Sequence, residues 1–121
     1  MSNNPNTKKR GVARTIIFKS SSLFKAVCLD FNIIEEAKTR DAVEKQIKEA
    51  IIGYIKNVCK NNLSDELLNR HAEKRYWNMY NKYLELLAKK DNKKINSENL
   101  NNIIKTSIFT MPINPKILCK A

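Results

Sequence analysis

Apolar and polar positions alternate with a period of two at the start of the chain. Thr15-Ile16-Ile17-Phe18 is β-branched and aromatic, Ser20-Ser21-Ser22 interrupts it, and Leu23 to Leu29 is again rich in strand formers, the pattern of a β-hairpin. In the second strand Phe24, Ala26 and Cys28 alternate with Leu23, Lys25, Val27 and Leu29. The lone charge, Lys25, then marks the wetter face. After Asp30-Phe31-Asn32, the short run Ile33-Ile34-Glu35-Glu36-Ala37 completes a three-stranded antiparallel meander. The period then lengthens to 3.6. Val43, Ile47, Ala50, Ile51, Tyr54, Ile55 and Val58 form one continuous stripe, which predicts a helix with one face on the sheet. Thr39 is suited to cap it, and Asp41 and Glu44 complement the dipole at its start. Gly53 inside this helix costs about 1 kcal/mol relative to Ala.

Asn61-Asn62 breaks the helix, and Ser64 followed by Asp65 and Glu66 starts a second helical region. There Tyr76, Tyr80, Tyr83, Leu84 and Leu87 make another amphipathic stripe, flanked by Trp77 and Met79. Lys89 to Lys94 is a polar linker, and Ser97-Glu98 caps a short turn ending near Asn102. Ile103-Ile104 and Ser107 to Met111 resemble a last strand, which Pro112 and Pro115 confine to an edge. The expected fold class is α+β: a β-β-β-α unit over 15–60, an accessory helical region over 61–90, and a linker, C-terminal edge strand and tail over 91–121. Residues 1–14 lack apolar periodicity and are expected to form a disordered basic tail.

Composition narrows the function classes. The 121 residues suffice for one small core. No apolar run approaches the roughly 18 residues of a membrane helix, and the first residues lack the apolar core of a secretory signal, so a cytoplasmic protein is expected. Cys28, Cys59 and Cys119 are odd in number and widely spaced; they match neither a disulfide framework nor a C-x-x-C pair, and read as reduced thiols. The net charge of +11 lies largely at the two ends: residues 1–14 carry +4 and 91–121 carry +3. Of the basic residues 18 are Lys and five Arg, which disfavours bidentate base reading.

Few constellations here carry chemistry. His71 is the sole histidine and sits in no metal or triad spacing, and two glycines cannot build a phosphate loop. Glu35 and Glu36 are adjacent, so on a strand they face opposite sides and cannot act as a carboxylate pair; as edge charges they discourage aggregation. No catalytic residue, metal or cofactor is expected. The group Tyr76, Trp77, Tyr80 and Tyr83 lies mainly on the stripe that docks the second helix, and Trp77, to one side of it, is the better candidate for a partner contact. Lys8, Lys9, Arg10 and Arg14 are candidates for non-specific phosphate contact.

Two segments carry a family resemblance: Phe24-Lys25-Ala26-Val27-Cys28-Leu29-Asp30, and the helix opening Thr39-Arg40-Asp41-Ala42-Val43 with Lys48-Glu49-Ala50-Ile51. Over about residues 15–58 the chain resembles HicB-like antitoxins. The resemblance implies a β-β-β-α-β domain similar to a partial double-stranded-RNA-binding fold, with residues 103–111 as the returning strand. It also implies a non-enzymatic protein that binds and inhibits a HicA-like toxin, a small mRNA-cleaving ribonuclease, by covering its surface. Asp30, Glu35 and Glu36 are the acids expected to meet such a basic partner. The family's usual Gly before the helix is replaced at Ala37-Lys38, and its Pro-Gly after the Asp is Phe31-Asn32. No helix-turn-helix or ribbon-helix-helix segment follows residue 60. The second helical region lies outside the minimal family domain, as an accessory cap or a surface for a homo-oligomer. The alternative function is a small RNA- or DNA-binding accessory protein using the basic tail and the lysine-bearing helix faces.

Overall fold

The computed structural model describes residues 5–91 and 106–113. Strands β1 (Val12–Ser20), β2 (Leu23–Cys28) and β3 (Ile33–Ala37) form the expected meander. Helix α1 (Arg40–Lys60), a 3₁₀ turn (Asp65–Leu68), helix α2 (Lys74–Asp91) and strand β4 (Ser107–Pro112) follow. The sheet is antiparallel throughout, in the order β3-β2-β1-β4. The α+β meander with a packed helix is therefore present, and β4 joins it as an edge strand beside β1. The expected turn at Ser97-Glu98, the residues Ile103-Ile104 and Pro115 lie outside the described residues.

Local chemistry explains the turns. Ser20 pairs with Leu23 across a two-residue connection, and Ser21 takes the positive φ (58°) that such tight hairpins demand. Asn32, where the resembled family has Gly, also has φ of 57°, a conformation Asn tolerates better than most residues. Its N–H closes the β2–β3 connection by donating to the Cys28 carbonyl at 2.9 Å. Thr39 caps α1, its hydroxyl accepting from the Ala42 N–H at 3.1 Å.

The two faces of the sheet differ in what covers them. On one, Ala13, Ile17, Ala26 and Cys28 meet Val43, Ile47, Ile51, Ile55 and Val58 of α1, the stripe that the 3.6 period marks; Ala50 and Tyr54 are only half-buried at its margin. Tyr54 stacks near Phe31 (centroids 5.0 Å apart) and donates from its hydroxyl to the Leu67 carbonyl at 2.6 Å. This ties the 3₁₀ turn to α1. On the other face Ile16, Val27 and Leu29 are buried beneath Ala72, Tyr76 and Tyr80. That is the Lys25 face, so its expected wetness is corrected: α2 crosses it, and Lys25 lies beyond the covered zone.

Two further expectations change. Residues 5–14, read as a disordered tail, are laid against the domain, and β1 begins at Val12 rather than Thr15. Leu84 is exposed and Leu86 buried, which rotates the observed α2 stripe away from the expected one. Of the cysteines, Cys28 is a free buried thiol, whereas Cys59 is disulfide-bonded, against the expectation that all are reduced.

Gly53 lies on the open side of α1 with nothing within 4 Å of an added Cβ. Gly53→Ala is expected to raise the unfolding free energy by about 1 kcal/mol through the helix-propensity difference, read as a higher midpoint in urea at unchanged slope.

Candidate binding surface

Three features decide which charged and aromatic groups are available to a partner. The first is built on Asp30. This residue follows β2 into the β2–β3 connection and is 1% exposed. Its carboxylate accepts from the Arg14 backbone N–H (2.7 Å), from Arg14 Nε (3.1 Å) and from Arg14 Nη2 (2.7 Å). The fork geometry suits a buried carboxylate, because both oxygens are satisfied by a group that stays charged. Asp30 holds the Arg14 guanidinium above its ordinary value, chiefly through this hydrogen bond. The guanidinium also lies over the Trp77 ring at 4.7 Å. Trp77 in turn sits 5.4 Å from the His71 ring and edge-on to Tyr80 at 6.2 Å. Trp77 is thus half-buried in the second core and closes over an ion pair. The expectation that Asp30 meets a partner is corrected, since its oxygens are spent internally, and Trp77 serves packing in the same cluster.

The second feature is a strap formed by residues 5–11. Asn6, 6% exposed, donates from its backbone N–H to Asn69 Oδ1 (2.8 Å) and from Nδ2 to the carbonyls of Val12 and Leu68 (2.9 Å each). Its Oδ1 accepts from the Val12 N–H at 2.9 Å, and Asn69 Nδ2 donates back to the Asn6 carbonyl at 2.8 Å. Gly11, at φ 157°, passes so close that a Cβ there would overlap the Asn6 side chain. Lys8 Nζ donates to Asp65 Oδ1 (2.8 Å) and to the Leu63 carbonyl (2.6 Å), and this contact lowers the Asp65 carboxyl below its ordinary range. Of the four cations expected to contact phosphate, Lys8 and Arg14 are therefore engaged with acids of the fold. Lys9 and Arg10 are exposed on a turn closed by Thr7, whose N–H donates to the Arg10 carbonyl at 2.8 Å. No sequence periodicity betrays the strap; its only signals are a glycine and an asparagine five residues apart.

The third feature is the outer strand β3, where Glu35 and Glu36 fall. Ile33, Glu35 and Ala37 share the α1 side, while Ile34 and Glu36 face the α2 side. Ile34 is 43% exposed, an apolar side chain that neither helix covers. Lys25, directly across on β2, reaches Glu36 at 3.9 Å, the outer limit of an ion pair. Elsewhere, a groove of about 310 Å³ opens between β1 and α2, lined by Ile16, Phe18, Tyr83 and Leu86 and flanked by Lys19 and Lys82. His71 is exposed, and no group of three metal-ligating side chains occurs among the described residues. No helix among them is long and apolar enough to cross a membrane.

Removing the Arg14 side chain strands a buried carboxylate, so Arg14→Ala is expected to destabilise the fold by about 3 kcal/mol; denaturant titration of the variant beside Arg14→Lys reads the loss. Burial pushes the Cys28 thiol up from 9.0 to about 12. The native thiol then keeps its proton where the unfolded one loses it, so this group leaves stability unaffected below pH 9 and lowers it as the pH rises from 9 towards 12. Cys28 is expected to resist alkylation at pH 8 in the folded protein and to react on unfolding, checked by mass spectrometry of the labelled peptide.

Comparison of the chain with protein-family models, with curated proteins and with solved structures finds no match.

Proposed function

We propose that this chain is a non-enzymatic binding protein of the HicB-like antitoxin type, which inhibits a small HicA-like mRNA-cleaving toxin by covering it. The observation that carries this reading is strand β3. Among the described residues it stands at the edge of the sheet and displays Ile34 with Glu36 beside it on the same face and Glu35 on the opposite face. An exposed apolar side chain bordered by carboxylates suits a basic protein, because burial of Ile34 supplies affinity while the acids set orientation. The β-β-β-α unit and a later strand that returns to the sheet are elements that the resemblance implies, with α2 standing between them, and so add support. The local acidity matters more than the total of +11, since charges further than about 8–10 Å from the contact are largely screened at physiological salt.

The alternative, phosphate binding through the N-terminal cations, draws less support because Lys8 and Arg14 already serve Asp65 and Asp30. The two readings part in one experiment. Co-expression with a small basic ribonuclease of the HicA-like type is expected to yield a complex that withstands moderate salt. Excess of this chain is expected to protect RNA from that protein. Glu35→Lys with Glu36→Lys is expected to weaken protection at least tenfold, and Lys9→Ala with Arg10→Ala to leave it unchanged. Absence of protection at excess overturns the antitoxin reading. Direct RNA binding that collapses with salt and with the Lys9 and Arg10 changes favours the alternative.

A further inference from the structure

We propose that β3 takes its partner by strand addition: the partner supplies a fifth, basic strand, with Lys or Arg opposite Glu35 and Glu36 and an apolar residue opposite Ile34. The inference deepens the reading of β3 as the contact surface and rests on it.

The backbone is the first argument. Among the described residues β3 ends the sheet, so one side of its five residues presents unpaired N–H and C=O groups at every second position. Its register against β2 runs without a break from Cys28↔Ile33 to Phe24↔Ala37, so no bulge twists the edge away. The strand contains neither Pro nor Lys, two common ways of blunting an edge, and the charges that guard it, Glu35 and Glu36, are both acidic, so they oppose self-pairing and not a cationic strand. The opposite edge is treated differently: β4 ends in Pro112, which has no N–H to offer. The two edges of one sheet are thus unequal, and β3 is the one left fit for pairing.

Side chains select what pairs there. Ile34 extends the α2 side of the sheet past the zone that Tyr76 and Tyr80 cover, so an apolar cross-strand neighbour would extend that layer. Glu35, on the α1 side, has no ion pair among the described residues, and Glu36 is held only at 3.9 Å by Lys25. A second copy of this chain is a poor occupant: antiparallel self-pairing centred on β3 sets Glu35 opposite Glu35, and like charges directly opposite destabilise a sheet. A strand carrying cations at these places meets both carboxylates while its main chain completes the hydrogen-bond ladder, the mode in which edge pairing gives affinity and alternate side chains give specificity.

The test uses the full chain, labelled with nitrogen-15, titrated with the capped hexapeptide Thr-Lys-Lys-Val-Thr-Val, which run antiparallel sets its two Lys opposite Glu36 and Glu35 and its first Val opposite Ile34, and with its Glu-for-Lys counterpart. The Lys peptide is expected to shift the amide signals of residues 33–37 and to slow their hydrogen exchange, and the Glu peptide to do neither. Glu35→Gln with Glu36→Gln is expected to weaken the Lys peptide at least tenfold, and the double Lys variant to reverse the preference. Shifts centred on the groove between β1 and α2, absence of binding, equal binding of both peptides, or a concentration-dependent dimer paired through β3 overturns the proposal. Peptide docking on β3 without RNA protection removes the antitoxin reading alone. Protection from the toxin with unchanged exchange at 33–37 removes strand addition alone.

Discussion

A central strand that is apolar on both faces has to be covered twice, and β1 is such a strand. Ala13, Thr15 and Ile17 point towards α1, while Ile16 and Phe18 point towards α2. Full burial of an Ile, Leu or Val is worth about 1.5–3 kcal/mol, and Ile16, Val27 and Leu29 depend on α2 for theirs. Since the whole stability of a small domain is about 5–15 kcal/mol, the second helix belongs to the fold and is more than an appendage. The Arg14–Asp30 pair follows from the same constraint. It lies on the α2 side where β1 enters the sheet, and its guanidinium doubles as a lid under Trp77.

The elements most legible in the sequence are those whose stabilisation is local or periodic. The stripe from Val43 to Val58, the Thr39 cap and the alternation in β2 could be read directly, because each repeats one geometry over several residues. The second layer was harder to read. Lys25 marked its face as wet, yet the helix covering Val27 and Leu29 lies more than forty residues downstream, and nothing in β2 itself announces it. The strap escaped for a related reason. Asn6 and Asn69 are joined by backbone and side-chain hydrogen bonds across 63 residues, and hydrogen-bond partners leave no hydrophobic period behind.

Charge was the least transparent quantity. Asp30 and Arg14 read as opposite surface candidates, one for a basic partner and one for phosphate, whereas the fold joins them to each other. Lys8 and Asp65 likewise find one another across the strap. What stays at the surface of β3 is set by position within the sheet: Glu36 is exposed, and Glu35, half-buried on the α1 side, stands on the outermost described strand.

The pairing of Val12 with Pro112 has a consequence for synthesis. β1 can zip to β2 as soon as the hairpin leaves the ribosome, but its other side waits for about ninety further residues, a non-local closure that slows folding. Throughout that interval β1 keeps one flank of its main chain without a partner strand, and docking of the first helix, which covers a face and not a flank, does not remove it.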